Sequence, residues 1–415
     1  YAFLSNQPKG SSYEVPESDA GFNMILGIIL LTLYIFLLIP LNIFMKKKSN
    51  MYQSMISFNE VKDVYKKLRC STKNKKEVID FSLNLNQFLL DILRKLNNRC
   101  YSFGRYRIFL IREPKYRLIM SEKMSDKIVN HLFTKVCLGC LENSLVSMNV
   151  ATRKDKGSKE AYNLFMKYIN KLMYKSKDIY VLKIDISKYF YNINHEMLLD
   201  MVKEKIKDKE VISFLSYILD STNLEYVNND IIRVVSNEKF RVSKKNISEF
   251  EKKKLYSELD SIPIYKSGYG LPIGNYSSQI LAVFYLNKVD HFIKESLGCK
   301  YYVRYMDDLV IMDIDKEKLK SIFSKVSEYI SSFDLVVNKK SGIYKLKEGI
   351  NFLGYNFKVS KGMVIRYRSD TIKRVNKKLK NLRVYDSEMY NKSYASYKGY
   401  FVMCNTSIRD KYLSD

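Results

Sequence analysis

The segment Tyr301-Tyr302-Val303-Arg304-Tyr305-Met306-Asp307-Asp308-Leu309-Val310-Ile311-Met312 constrains the chain more than any other. Two β-rich runs flank a polar pair, so the simplest structure is a tight hairpin with Met306-Asp307 at its tip. Adjacent acids on such a tip repel one another, and a divalent cation shared with a further carboxylate relieves that cost. A second strand supplies the further carboxylate. In Tyr180-Val181-Leu182-Lys183-Ile184-Asp185-Ile186 the alternation puts Leu182, Ile184 and Ile186 on one face and Val181, Lys183 and Asp185 on the other. Burying the first face against helices leaves Asp185 on an open face at the strand's end. Carboxylates paired in this way suit two-metal phosphoryl transfer, because Mg²⁺ selects hard oxygen ligands. Taken singly, Asp185 reads as a strand-end cap and Asp307-Asp308 as a solvated turn.

Between the two strands lies Gly268-Tyr269-Gly270-Leu271-Pro272-Ile273-Gly274-Asn275-Tyr276-Ser277-Ser278-Gln279. Its glycines and proline predict a loop with special backbone angles, and Ser277 or Ser278 can cap the apolar helix that follows. Such a loop brings backbone close to a flat ligand.

Around these segments the pattern alternates between helix and strand. Residues 50–100 read as helical, 101–120 as two strands joined by a turn at Pro114, 125–145 as helix and 195–220 as helix. Residues 222–262 read as charged and irregular, with short strands around Ile231–Val235. A helix over 276–297, a helix over 317–333, short strands over 350–366 and a basic helical tail follow. The class is therefore α+β or α/β.

Cys137 and Cys140 have CxxC spacing without a second pair, and with Val129, Phe133 and Val136 they recur at helical spacing, which predicts packing rather than zinc. Cys70, Cys100, Cys299 and Cys404 are scattered, and His131, His195 and His291 form no metal-ligand spacing. Lys and Arg number 71 against 44 acids, a formal charge of +27 that suits either a polyanionic partner or a lysine-rich solvated surface. Residues 22–45 run 24 positions without a charge and precede Lys46-Lys47-Lys48. That length matches a membrane-spanning helix, and the charge asymmetry places the basic body in the cytoplasm. A translation start at Met45 or Met51 would remove the segment.

Taken in order, the motifs resemble those of reverse transcriptases of the bacterial diversity-generating retroelement, retron and group II intron types. DISKYFYNINH at 185–195 resembles the first palm motif, LPIGNYSSQ at 271–279 the dNTP-facing motif, Tyr305-Met306-Asp307-Asp308 the YxDD box, and Asn351-Phe352-Leu353-Gly354-Tyr355 the primer grip. Ile111–Ile119 followed by Asp126–Val129 resembles the fingers pattern, and Lys156–Ala161 the K-G-T-x-x-A step. One departure from the retroviral form is Ile273-Gly274 in place of Gln-Gly, with Ser278-Gln279 in place of Ser-Pro.

The resemblance implies a right-hand polymerase: a palm with an antiparallel sheet, fingers and a short helical thumb, preceded by the membrane helix. The divisions it implies are a leader at 1–21, the membrane helix at 22–45, N-terminal helices and fingers at 46–178, palm at 179–350, and primer grip and basic thumb at 351–415. It implies RNA-directed DNA synthesis with two Mg²⁺ ions, or Mn²⁺ in their place, held by Asp185, Asp307, Asp308 and the Ile186 carbonyl. Phe190 is implied as the gate against a ribose 2′-hydroxyl, Lys115 and Arg117 as triphosphate contacts, and Gly274 and Gln279 as the nucleotide's lining. Lys340, with Lys339 as competitor, is implied as the acid that protonates pyrophosphate. Phe352, Leu353, Gly354 and Tyr355 would grip the primer. The implied partners are an RNA template, a DNA or RNA primer, dNTPs, a structured RNA and a small basic accessory protein. The resemblance carries the expectation that no RNase H, endonuclease or full maturase domain follows the thumb. The competing readings are a template-independent or defence-associated polymerase of the same fold, a non-catalytic RNA-binding protein, and a membrane anchor or receptor defined by residues 22–45.

Overall fold

A computed structural model describes residues 50–404 apart from 73, 74, 113, 154 and 361. The apolar run at 22–45 lies outside the described residues. Among those described, no helix is long and apolar enough to cross a membrane.

The helices α1 (Met51–Met55), α2 (Phe58–Ser71), α3 (Lys75–Leu83) and α4 (Leu85–Asn97) lead into the hairpin β1 (Arg107–Arg112) and β2 (Tyr116–Ser121). Next come α5 (Met124–Phe133), α6 (Ser158–Met173), β3 (Tyr180–Ile184), α7 (His195–Lys205), α8 (Lys209–Leu219), α9 (Glu225–Ser243) and α10 (Glu249–Asp260). Then α11 (Tyr276–Tyr285) and α12 (Asn287–His291) precede β4 (Tyr301–Tyr305), β5 (Asp308–Asp313), α13 (Lys316–Ser331) and β6 (Gly342–Lys345). Last come the meander β7 (Ile350–Phe352), β8 (Tyr355–Val359) and β9 (Met363–Tyr367), and the basic helices α14 (Ser369–Tyr385) and α15 (Ser387–Tyr400).

The central sheet has the order β4-β5-β3-β6 and every pairing in it is antiparallel. One face packs Leu182, Ile184, Tyr302, Leu309 and Ile311 into a large core with the N-terminal helices, α7, α8, α11 and α13. The other face is buried too. Val181, Val303, Val310 and Met312 pack against Phe165 and Ile169 of α6 and against Phe352 and Phe357 of the meander. The open face expected around Asp185 is thus covered over most of its length, because α6 and the meander fold back across it. Only Lys183 and Asp185 on that face of β3 keep partial exposure.

Residues 222–262 correct the sequence reading. They form α9 and α10 and contain no strand at Ile231–Val235. The buried positions Val227, Ile231 and Val242, with Val235 packed beside them, recur at helical rather than alternating spacing. The β-branched pair Val234-Val235 obscured that period. The helix expected at 195–220 is two, broken before Asp208, whose carboxylate accepts from the Glu210 and Val211 amides. Cys137 is buried in the core, and Cys70, Cys100, Cys137, Cys299 and Cys404 are free thiols.

A fully buried ion pair ties the sheet to α12. Arg304 and Asp290 are both 0% exposed; Nε donates to Oδ1 at 2.7 Å and Nη2 to Oδ2 at 2.7 Å. Tyr302 donates to the same carboxylate at 2.5 Å. Asp290→Asn should cost about 3–5 kcal/mol in urea unfolding, because it strands a buried guanidinium. The double variant Asp290→Leu with Arg304→Leu should cost less than either single replacement.

Candidate active site

The strand β3 delivers Asp185 at its C-terminal end, where residues 336–341 run alongside. The Asp185 carbonyl accepts from Asn338 N at 2.7 Å, and Ser187 N donates to the Val336 carbonyl at 2.8 Å. Ser341 Oγ accepts from the Asp185 amide at 3.0 Å and donates to its carbonyl at 3.2 Å. Those bonds flank Ile186, whose side chain is buried and whose own carbonyl takes no part in the pairing.

The β4–β5 turn has the predicted tip. Tyr305 pairs with Asp308, and Met306-Asp307 make the connection. Met306 takes a left-handed φ of 57°, a conformation that a side-chain-bearing residue resists. Arg304 Nη1 donates to the Met306 carbonyl at 2.8 Å and holds it there.

Electrostatics show what the two strands bring together. Burial pushes the half-buried Asp307 carboxyl up to about 6, and the charges of Asp308 and Asp185 push the same way; its own backbone amide and the Arg117 guanidinium oppose them. Asp185 is also raised, by burial first and then by Asp308, against the charges of Lys183 and Lys340 and a hydrogen bond with Asn338. Lys183 Nζ lies 3.0 Å from Asp308 Oδ1 and donates to the Asn351 carbonyl at 3.2 Å. Asp185, Asp307 and Asp308 therefore share one electrostatic neighbourhood with Lys183, Lys340 and Arg117.

The remaining expected residues fall in different places. Phe190 is half-buried against the core, edge-on to Tyr189 at 5.8 Å. Its carbonyl accepts from Leu271 N at 2.7 Å, and Gly270 N donates to the Ile193 carbonyl at 2.8 Å, so the loop is zipped onto residues 190–193. Gly274 is required by the fold itself: at φ 139° an added Cβ would lie 2.3 Å from the Met120 carbonyl of β2. Ser277 and Ser278 do not cap α11. They sit inside it with buried hydroxyls, and Asn130 Oδ1 accepts from the Ser277 amide at 3.1 Å instead. Gln279 is exposed on α11, and Lys115 is exposed in the β1–β2 turn. No described contact brings either of them to the carboxylates.

The grip segment is the β7–β8 turn. Phe352 and Tyr355 pair and are buried, while Leu353 (φ 52°) and Gly354 (φ 85°) make the tip. A cleft of about 500 Å³ joins this tip to Asp308; its lining includes Lys159, Lys183, Tyr305 and Arg368. The sequence reading passed over Lys183 and Arg304 as functional positions. Lys183 had a visible signal, since it shares Asp185's face two residues earlier. Arg304 had none, because its partner Asp290 is brought to it only by folding.

A divalent cation suits the donor chemistry of this site. Asp185, Asp307 and Asp308 offer hard oxygens whose mutual repulsion the local cations offset only in part. As the side chains stand, no group of three or more His, Cys, Asp or Glu among the described residues is gathered closely enough to hold a metal ion.

Beneath the loop, Asn130 Nδ2 donates to Glu122 Oε1 at 2.9 Å, and Asn275 Nδ2 donates to Tyr106 OH at 2.8 Å. Burial pushes Glu122 up to about 8 from an ordinary 4.5. Between those values the folded state keeps a proton that the unfolded chain has lost, so Glu122 makes stability fall as pH rises through that window. Glu122→Gln should flatten that fall. The urea midpoint of the variant should exceed that of the native protein at pH 8.5 and approach it at pH 5.

Comparison with known proteins places this arrangement. Over 353 residues the chain is 22% identical to the COX1/OXI3 intron 2 protein of Saccharomyces cerevisiae, covering 76% of this chain and 39% of the yeast protein. Solved structures with similarity include apo telomerase of Candida tropicalis truncated from its C-terminal domain, at 14% identity and TM-score 0.43 over 64% of this chain and 55% of that one. Telomerase of Candida albicans in complex with a fragment of telomeric RNA is another, at 11% identity and TM-score 0.40 over 75% and 55%. The chain thus spans about two-fifths of the yeast relative and about half of the telomerases. Residues 111–357 match the family described as reverse transcriptase (RNA-dependent DNA polymerase), more than half of the sequence, and the chain belongs to that family.

Proposed function

We propose that the chain is an RNA-directed DNA polymerase that adds dNTPs to a primer 3′-hydroxyl. The observation that carries this reading is the convergence of Asp185, at the end of β3, with Asp307 and Asp308 of the neighbouring hairpin in one strained, partly desolvated charge cluster. In the reaction a bond forms from the 3′-oxygen to the α-phosphorus, and the α–β bridging bond breaks to release pyrophosphate. Divalent ions held by Asp185, Asp307, Asp308 and the Ile186 carbonyl, Mg²⁺ or in its place Mn²⁺, would activate that hydroxyl and hold the leaving group.

This chain's own residues do the rest. Arg117, close enough to act on Asp307, contacts the triphosphate with Lys115. Lys340 Nζ supplies a proton to the departing pyrophosphate. Phe190 closes the sugar side of the nucleotide, while Gly274 and Gln279 line it. Phe352, Leu353, Gly354 and Tyr355 hold the primer in the cleft they share with Asp308. On this reading residues 46–178 are N-terminal helices and fingers, 179–350 palm, and 351–415 grip and thumb. RNA template, primer and dNTPs are the partners, with a structured RNA and a small basic accessory protein beside them. Similarity to a yeast intron protein favours the intron type among the retroelement classes. Residues 22–45 anchor the body to a membrane on the strength of their sequence alone.

DNA synthesis by the full chain on a primed RNA template tests the reading. Losing a carboxylate's share of metal stabilisation, several kcal/mol, should lower incorporation by Asp307→Asn about a thousandfold or more. Incorporation that survives in Asp307→Asn, or tight RNA binding with no synthesis by the native chain, would overturn it. Phe190→Ala should admit ribonucleotides about tenfold more readily relative to dNTPs, as measured by single-nucleotide extension.

A further inference from the structure

We propose that Lys183 is a positioning residue that locks the grip hairpin to Asp308 and so fixes where the primer's 3′ end meets the carboxylates. The inference rests on the polymerase reading above. It begins with the place of Lys183 in the sheet. Lys183 pairs with Val310 of β5 and Gly342 of β6, on the face of β3 that otherwise packs into the second core. Two residues earlier, Val181 is 0% exposed within that core. An aliphatic residue at 183 would continue the same packing.

The chain instead places an ammonium there, and its donors reach across to two separate elements. One is Asp308 Oδ1, at 3.0 Å. The other is the carbonyl of Asn351, at 3.2 Å, in the residue just before the grip turn. Neither bond follows from the β3 pairing itself.

The grip needs such a tie. β7 is three residues long, and its turn holds Leu353 and Gly354 both at positive φ. Leu353, Gly354, Lys183 and Asp308 line the same cleft, so a primer backbone resting on the turn lies along the path to Asp308. The distance between those two contacts is set by whatever links turn to carboxylate, and Lys183 touches both. As a flexible stem with a compact charge, lysine bridges such a gap without the fixed fork of arginine.

The experiment uses the full chain with Lys183→Met, which keeps the stem and removes the charge, and Lys183→Arg. Lys347→Met is the control for a lost charge, since Lys347 pairs with Asp178 on the exposed surface. A primer carrying 2-aminopurine at its 3′ end, bound to template in EDTA at saturating protein, reports terminal-base placement without catalysis. The native chain and Lys347→Met should give the same emission, Lys183→Met a different one, and Lys183→Arg should recover most of the change. With Mg²⁺ present, Lys183→Met should raise the primer–template KM about tenfold and leave the dNTP KM within about twofold. Equal rises in both KM values, or native emission from Lys183→Met, would overturn the proposal. If the native chain binds the primer but incorporates nothing, the polymerase reading fails, and the emission of Lys183→Met still decides whether Lys183 places the primer end.

Discussion

The buried pair of Arg304 and Asp290 is the interaction on which the candidate site depends. A guanidinium with no exposed surface is costly unless every donor is answered, and here the answers come from Asp290, the Val283 carbonyl and the Met306 carbonyl. Three pieces of chain are joined in consequence: α11 and α12, the strand β4, and the turn that carries Asp307. Met306 takes the left-handed φ that a two-residue hairpin loop requires, and one of those bonds ties its carbonyl to the pair, so the turn that carries Asp307 is anchored to it.

Burial on both faces of the central sheet is the second constraint. It leaves the C-terminal end of β3 and the neighbouring hairpin tip partly exposed, so the acids gather where packing stops. The raised carboxyls of Asp185 and Asp307 record that compromise: they are close enough to the core to lose solvent and close enough to neighbouring acids to be repelled. Lys183, Lys340 and Arg117 stand around them from the sheet, from the segment beside β3 and from the β1–β2 hairpin. The cluster is therefore assembled from four separate stretches of sequence, which is why small displacements of any one of them matter for the chemistry proposed.

Much of this was legible in the sequence. The alternation in Tyr180–Ile186 and Tyr301–Met312 predicted the strands and the hairpin tip, and the structure has both. The short strands over 350–366, the β1–β2 hairpin and the basic terminal helices also appear where the pattern put them. Residues 222–262 were misread because a helical period of buried Val and Ile is hard to see among charges and β-branched pairs. Ser277 and Ser278 were assigned a capping role that Asn130 fills from another helix, a substitution that local sequence cannot reveal.

The sequence by itself determined the order of the candidate residues and the strands and turns that present them, because strand alternation, tight turns and glycine-dependent loops are local properties of the chain. Tertiary structure alone decided how those residues are held. Asp290 finds Arg304 across 14 residues, Lys183 finds Asn351 across 168, and Gly274 meets the Met120 carbonyl of a distant strand. Contacts of that kind arise from packing whole elements against one another, and no spacing rule along a single chain encodes which polar group a buried charge will meet.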